Sequence, residues 1–426
     1  MTSRTVHPIT SASATIRVPG DKSISHRAAI FGSIATGVTT VEGFLASEDC
    51  LNTVRAMRHM GADIAHCGDR LEIRGAGLDG LRESASVVDV GNSGTGIRLL
   101  SGLVAGQPFT TTITGDASIR QRPMDRIVQP LSAMGAHISG ASGGLHAPLT
   151  ITGGELRGIA YDSPVASAQV KSATLLAGLY ADGDTTVREP SLSRDHTERM
   201  LNALGAEVRH DGLSVTVTPR PELTGRPLRV PSDISSAAFF LVAGLLASDA
   251  RISCVGVGVN PTRTGIVDAL RAMGGDIEAD AEQMWGAEPV ADLRVATSVL
   301  RGAEFGGDAI VTMIDELPLL ALAASQAQGR TTVRDAAELR VKETDRIEAI
   351  VSELRALGIV IEPRPDGFVV DGPQSVRGGS CESHGDHRIA MMCAVAGLIA
   401  SEPTTINDVD CVNTSFPTFW ELLEQL

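Results

Sequence analysis

Met57-Arg-His-Met-Gly-Ala-Asp-Ile64 is one version of a phrase that this chain uses again and again. It returns as Leu131-Ser-Ala-Met-Gly-Ala-His-Ile138, Leu201-Asn-Ala-Leu-Gly-Ala-Glu-Val208, Leu270-Arg-Ala-Met-Gly-Gly-Asp-Ile277 and Leu354-Arg-Ala-Leu-Gly-Ile-Val-Ile361. Each reads as the end of an amphipathic helix that breaks at glycine and enters a strand. The glycines Gly61, Gly135, Gly205, Gly274 and Gly358 lie about 70 to 84 residues apart, which is the signature of a repeat architecture. Glycine suits this place because a helix commonly closes on a left-handed residue, which costs glycine no Cβ clash. A second phrase interleaves with the first: a helix of small apolar residues, then a Thr/Val-rich strand. It runs Ala28–Gly37 into Val38-Thr-Thr-Val41, Ile97–Gly106 into Phe109-Thr-Thr-Thr-Ile113, and Val170–Gly183 into Thr185-Thr-Val187. It continues as Ala237–Asp249 into Ala250-Arg-Ile252, Leu317–Gly329 into Thr331-Thr-Val333, and Ile389–Glu402 into Thr404-Thr-Ile406. That makes six α/β units, the sixth cut short at Leu426. Helices so rich in Ala, Gly and Leu are expected to be buried on nearly all sides.

The two halves also match. Ile16-Arg-Val-Pro-Gly-Asp21 opens the first and Leu228-Arg-Val-Pro-Ser-Asp233 the second. Pro219, Pro221, Pro227 and Pro231 mark a linker, so three units per domain are expected, with a boundary near 220–231. At 426 residues, 43% apolar and 20% charged, the chain is an ordinary globular protein. A net charge of −15 argues against a nucleic-acid surface, and nine Phe, two Trp and two Tyr leave little for base stacking. The longest uncharged apolar run, Ile234 to Ser248, falls short of the roughly 20 residues of a membrane helix. Six cysteines without a CxxC or Cys/His cluster exclude a disulfide framework or zinc site and suit a reducing cytoplasm. No secretory signal opens the chain. Only three of the 36 basic residues are lysine (Lys22, Lys171, Lys342), against 33 arginines. Each surviving lysine is therefore a candidate for a role that arginine does not fill.

Several charged or glycine-rich stretches stand just upstream of the repeat helices. Pro19-Gly-Asp-Lys-Ser-Ile-Ser-His-Arg27 brings the Lys22 ammonium, the Ser23 hydroxyl and the Arg27 guanidinium to a helix start, a good anion site. Ser23 or Ser25 would equally serve as a plain helix cap. Gly91-Asn-Ser-Gly-Thr-Gly-Ile-Arg98 would let backbone approach a phosphate or carboxylate closely, or simply make a tight turn. Arg122 stands before a rigid proline, and Ser167-Ala-Gln-Val-Lys171 opens another helix, with Ser193-Arg-Asp-His196 downstream. Ser167 and Gln169 can donate to phosphate oxygens, although capping is the commoner use of such a serine. In Arg340-Val-Lys-Glu-Thr-Asp-Arg346, on a helix or tight turn, Lys342 and Arg346 would share a face beside Glu343; the other reading is a solvated charged helix. Asp315 and Glu316 head one apolar helix, and His387 and Arg388 another. The shared placement of these clusters argues for one site.

Taken together, Gly20-Asp-Lys-Ser-Ile-Ser-His-Arg27, Gly91-Asn-Ser-Gly-Thr-Gly96, Arg122-Pro123, Leu339-Arg-Val-Lys-Glu-Thr-Asp-Arg346 and Asp386-His-Arg388 resemble the EPSP synthase (3-phosphoshikimate 1-carboxyvinyltransferase) family over essentially the whole chain. The resemblance implies an inside-out α/β barrel in two domains of three βαβαββ units each. Residues 17–229 would form the first domain and residues 1–16 plus 230–426 the second, with the active site in the cleft between them. It implies transfer of the enolpyruvyl group of phosphoenolpyruvate to the 5-hydroxyl of shikimate 3-phosphate, with loss of phosphate. By the same resemblance Lys22, Ser23, Arg27, Ser167, Ala168, Gln169, Arg194, Asp315 and Lys342 bind the shikimate partner. Lys22, Gly94, Arg122, Gln169, Arg346 and Arg388 hold phosphoenolpyruvate. Asp315 acts as base on the 5-hydroxyl, assisted by Lys342 and Lys22, and Glu343 moves protons at the methylene carbon. The substrates bring about −5 to −6 of charge. Seven cations (Lys22, Arg27, Arg122, Arg194, Lys342, Arg346, Arg388) less Asp315 and Glu343 give +5, so neither metal nor cofactor is expected. A cytoplasmic monomer without nucleic-acid or membrane partners is expected.

The chain departs from the family pattern in two places. Many relatives carry a lysine just before the Phe-Pro near the C-terminus, and Cys411-Val-Asn-Thr-Ser-Phe-Pro417 has none. Ser167-Ala-Gln and Arg194-Asp-His follow the branch with Ala and Arg rather than Ser and Tyr. Glyphosate inhibits many members from the phosphoenolpyruvate site, and an alanine at the position of Gly94 gives resistance. Two other readings remain. The UDP-N-acetylglucosamine enolpyruvyl transferases share fold and donor but carry a reactive cysteine before their Arg-Pro, whereas no cysteine occurs here between Cys67 and Cys254. A non-catalytic anion-binding repeat protein would not need Asp315 and Glu343 among the cations.

Overall fold

In each unit of the chain, three nearly all-buried helices are wrapped by small mixed sheets. The computed structural model describes residues 2–426. It divides into one unit of Met1–Pro19, Pro231–Met284 and Pro289–Leu426, and another of Gly20–Val230 with Trp285–Glu288. The crossings thus fall at 19/20 and 230/231, close to those expected at 16/17 and 229/230. The short Trp285–Glu288 turn, which no sequence signal marked, groups with the Gly20–Val230 unit.

In the Gly20–Val230 unit the helices Lys22–Ile34, Gly94–Ala105 and Ala168–Gly178 form the interior. Their small residues explain how closely they pack. A Cβ added at Gly102 would lie 2.1 Å from the Ala173 carbonyl oxygen, so any other residue would push two helices apart. The other unit buries Ile234–Leu246, Leu317–Gln326 and His387–Leu398 in the same way. Nearly every residue of these helices is buried, as their composition predicts.

Each sheet follows one plan. In the second repeat, Val88–Asp89 lies parallel to Thr110–Thr114, which pairs antiparallel with His146–Thr152, and that strand with His137–Gly140. The repeat therefore reads strand, buried helix, strand, outer helix and hairpin. The threonine-rich strands suit this plan because every second residue faces outward. Thr110 meets Thr152 at 3.0 Å and Thr112 meets Thr150 at 2.9 Å across the outer face, while Ile113 points to the core.

The last repeat is completed from the chain start: Ser3–Val6 pairs with Thr404–Asn407. The matched Ile16 and Leu228 segments play equivalent parts. Ala12–Ile16 is the parallel neighbour of Ala250–Gly258, and Leu228–Arg229 that of Thr36–Glu42. The five phrase glycines adopt φ of 89°, 118°, 109°, 93° and 85°, the left-handed turn their position demands.

Candidate functional site

Within each unit the three buried helices adjoin at their N-terminal turns, and the charged motifs sit there. This follows in part from the repeat: the motifs at Lys22, Gly94, Ala168, Asp315 and Arg388 open or precede buried helices, while Arg122 and the Lys342–Arg346 stretch reach the same region of their units from the segments that lead into the outer helices Asp125–Met134 and Arg346–Ala356. The turns also bring backbone N–H groups and the positive ends of three helix dipoles to one region.

In the Gly20–Val230 unit, Asp21 caps the first helix by accepting from Ile24 N at 2.8 Å, so neither Ser23 nor Ser25 is the cap. Ser25 instead accepts from Leu45 N at 3.0 Å. Arg27 is buried and fully directed: Nε donates to Thr197 Oγ1 at 2.7 Å, Nη2 to Ser172 Oγ at 2.7 Å and Nη1 to Ser23 O at 2.9 Å. Burial lowers its pKa to about 10, which leaves it cationic at neutral pH. Lys22 Nζ stands 3.2 Å from Asp49 Oδ2. His26 beneath them is held neutral, its pKa lowered to about 3 by burial and by Lys22 and Arg27. Its Nδ1 shares a 2.7 Å hydrogen bond with Thr53 Oγ1.

Ser93 caps the second helix through Gly96 N at 2.9 Å, so Gly91–Arg98 is a helix start rather than an isolated turn. Gly94 takes a helical conformation, and the Arg122 guanidinium lies against its Cα: an added Cβ would stand 2.7 Å from Nη1. Arg122 is extended (φ −74°, ψ 138°), as a residue before proline is biased to be, and this carries its side chain back to Gly94. Ser167 does cap its helix, accepting from Val170 N at 3.4 Å. Gln169 is held by Arg98, whose Nη1 donates to Gln169 Oε1 at 2.8 Å and to Gly94 O at 3.2 Å, while Nη2 donates to Pro123 O at 3.1 Å. One guanidinium thus ties Gly94, Gln169 and the Arg122-Pro123 turn.

In the other unit the centre is Arg346, almost fully buried. Its Nε donates to Asp386 Oδ2 at 2.7 Å, Nη1 to Asp315 Oδ1 at 3.2 Å and Nη2 to Glu343 Oε2 at 2.5 Å. Burial works against its charge, but Asp386, Glu343 and Asp315 outweigh it and raise its pKa above the ordinary arginine value. Lys342 Nζ is 3.7 Å from Asp315 Oδ1. Burial, aided by Arg346 and opposed by Asp315, lowers its pKa. Arg388 donates to Asp315 O at 3.1 Å and approaches Glu316 Oε1 at 3.5 Å. Asp386 caps the last helix by accepting from Arg388 N at 2.8 Å, which joins the two clusters of that unit. Of the two settings expected for Lys342 and Arg346, a helix or a tight turn, a single helix is not the one found. Lys342 follows the 3-10 turn Ala337–Val341, and the helix Arg346–Ala356 starts only afterwards. They meet through Asp315 instead. Near the C-terminus Thr414, not a lysine, faces His387, with Oγ1 3.4 Å from Nδ1.

Sequence reading missed the carboxylates that hold the cations. Asp49 lies against Lys22 in one unit, and Glu316 and Asp386 lie against Arg388 and Arg346 in the other, so both clusters are less positive than the cations alone suggest. Nothing in the sequence marks Arg98 within its motif, and only its contacts give it a role. Chemically, the Gly20–Val230 unit offers fixed cations and helix N-termini for anions. The other offers two carboxylates on opposite nitrogens of one guanidinium, an arrangement for proton transfer.

Known proteins show what this chain is similar to. A model of the family EPSP synthase (3-phosphoshikimate 1-carboxyvinyltransferase) matches residues 6–423. A 3-phosphoshikimate 1-carboxyvinyltransferase of Citrifermentans bemidjiense is 56% identical over 424 residues, 100% of this chain and 99% of that one. One from Bacillus cereus is 51% identical over 427 residues, covering 100% of both chains. A solved EPSP synthase from Acinetobacter baumannii superposes with a TM-score of 0.89 at 45% identity, over 99% of this chain and 98% of that chain.

Proposed function

Because the chain belongs to the EPSP synthase family, the 3-phosphoshikimate 1-carboxyvinyltransferases, and performs that step of the shikimate pathway, we propose that its two charged clusters divide the chemistry between them. Lys22, Ser23, Arg27, Ser167, Ala168, Gln169 and Arg194 hold shikimate 3-phosphate. The Gly94 backbone, Arg122, Arg346 and Arg388 hold phosphoenolpyruvate, with Lys22 and Gln169 serving both. Asp315 takes the proton of the 5-hydroxyl as its oxygen bonds to C2 of phosphoenolpyruvate, and Lys342 steadies the charge on that oxygen. Glu343 gives a proton to C3, making a methyl group. It takes one back as the C2–phosphate bond breaks, so the enol ether and inorganic phosphate leave together.

The observation that carries this reading is the double hold of Arg346 on Asp315 (3.2 Å) and Glu343 (2.5 Å). A guanidinium keeps its two terminal nitrogens apart in a rigid plane, so the carboxylates serve different atoms of the substrates without meeting. Six free cysteines suit a reducing cytoplasm.

Glu343→Gln tests the assignment. It keeps the hydrogen-bonding shape but carries no transferable proton, and is expected to slow entry of solvent deuterium into the methylene carbon by about 100-fold or more. Shikimate 3-phosphate should bind as before. Deuterium entering at the parent rate would sink the role given to Glu343.

Gly94→Ala reads the other cluster. Strain is not at issue, since Gly94 is helical. The new methyl would meet the Arg122 guanidinium, the far end of a flexible side chain, and force it to shift from its place against residue 94. Both anionic ligands should weaken, glyphosate more than phosphoenolpyruvate because it extends further. Inhibition constants and KM values check this. Equal fold-changes would leave no steric discrimination at residue 94.

A further inference from the structure

Lys171 has no part in the reaction as described, yet it is one of only three lysines in a chain with 33 arginines, and it is buried. Its Nζ lies 2.8 Å from Glu189 Oε2 and 2.8 Å from Glu198 Oε1, both carboxylates also being buried. A third acceptor, Ser193 O, stands 3.4 Å away. Burial pulls the ammonium toward neutrality, but the two carboxylates overcome this and hold its pKa above the ordinary lysine value.

Each partner leads to a group proposed for the shikimate partner. Glu189 Oε1 accepts from Ser167 N at 3.1 Å, fixing the turn that presents Ser167, Ala168 and Gln169. Ser193 immediately precedes Arg194. Glu198 follows Thr197, and Ser172 follows Lys171; these two hydroxyls share a 2.7 Å hydrogen bond and together receive Arg27. The two pairs of neighbours interlock: Lys171 with Glu198 inside, Ser172 with Thr197 against Arg27.

We propose that Lys171 is a positioning residue for shikimate 3-phosphate, one buried ammonium that sets Ser167, Arg194 and Arg27 relative to one another. This rests on the assignment of those three residues to that substrate. It also accounts for the surviving lysine. Two carboxylate oxygens and one carbonyl converge on a single point, two as ion pairs and one as a hydrogen bond, which suits a compact point charge better than a planar guanidinium fork.

The test compares KM for shikimate 3-phosphate, KM for phosphoenolpyruvate and kcat in the parent, Lys171→Gln, Lys171→Arg and Glu189→Gln. Lys171→Gln is expected to raise KM for shikimate 3-phosphate about 10-fold or more, the usual size of a lost supporting contact. KM for phosphoenolpyruvate, which shares only Gln169 with the groups that Lys171 sets, should rise by a smaller factor at saturating shikimate 3-phosphate. Lys171→Arg should move in the same direction and fail to restore the parent value. A merely structural lysine would lower Tm and leave the ratio of the two KM values unchanged, and that result in folded Lys171→Gln overturns the proposal. Should Lys171→Gln not fold, Glu189→Gln decides, because it leaves Lys171 facing Glu198 and loses only the link to Ser167. A rise of about 3-fold in KM for shikimate 3-phosphate, larger than any rise for phosphoenolpyruvate, supports the proposal, and no such rise overturns it. A parent that releases no phosphate with shikimate 3-phosphate overturns the functional assignment and this inference together; active variants with parent KM values overturn this inference only.

Discussion

Asp315→Asn is expected to lower kcat by about 100-fold or more, the contribution of a positioned general base. The substitution preserves shape and most hydrogen bonds, so its effect is chemical. Arg346 keeps Asp386 at 2.7 Å and Glu343 at 2.5 Å, and the buried guanidinium therefore stays compensated and the fold intact. Lys342 loses the carboxylate that stands 3.7 Å from its Nζ, and with it the charge that opposes its deprotonation. The checks are steady-state kinetics and a thermal melt on the same preparation. A Tm near the parent with kcat reduced supports the role of base. A kcat within about 3-fold of the parent would remove Asp315 from proton transfer.

Arg346→Met is expected to do the opposite and damage the fold itself. Arg346 and Asp386 are both almost wholly buried and share a 2.7 Å hydrogen bond. Removing the guanidinium leaves Asp386, and in part Asp315 and Glu343, as uncompensated charge in an apolar interior. Breaking one side of such a pair costs about 3–5 kcal/mol. In a unit of this size that lowers Tm by on the order of 10 °C. Arg346→Met/Asp386→Asn should recover much of the stability, because the buried charge is then gone, but not the activity. A single variant as stable as the parent would show that the network is solvated and weak.

How much of this could be read from residues alone depends on the range of the interaction. The repeat was legible because its signal is local. A left-handed glycine after an apolar helix leaves the same phrase wherever it occurs, and Gly61, Gly135, Gly205, Gly274 and Gly358 all take that conformation. The motif residues were legible because charges and glycines stand out just before apolar helices, and the equivalence of the helices placed them at adjoining turns. What could not be read was pairing. Arg27 meets Thr197 across 170 positions and Ser172 across 145, and no local pattern links them. The carboxylates were missed for a related reason. Asp49 and Asp386 look like ordinary first-turn or capping acids, which they also are. Only the fold shows that they lie against Lys22 and Arg346 and reduce the local positive charge. Lys342 and Arg346 show the converse. Their spacing suggested one face of a helix or tight turn; no single helix carries both, and it is Asp315 that brings them together.

The most direct measurement is phosphate released from phosphoenolpyruvate with a chosen acceptor. With shikimate 3-phosphate, one phosphate should appear for each phosphoenolpyruvate consumed, at a rate that Asp315→Asn lowers by about 100-fold, and UDP-N-acetylglucosamine should release none. Phosphate released with UDP-N-acetylglucosamine, or at an equal rate with Asp315→Asn, would contradict the acceptor and the base together.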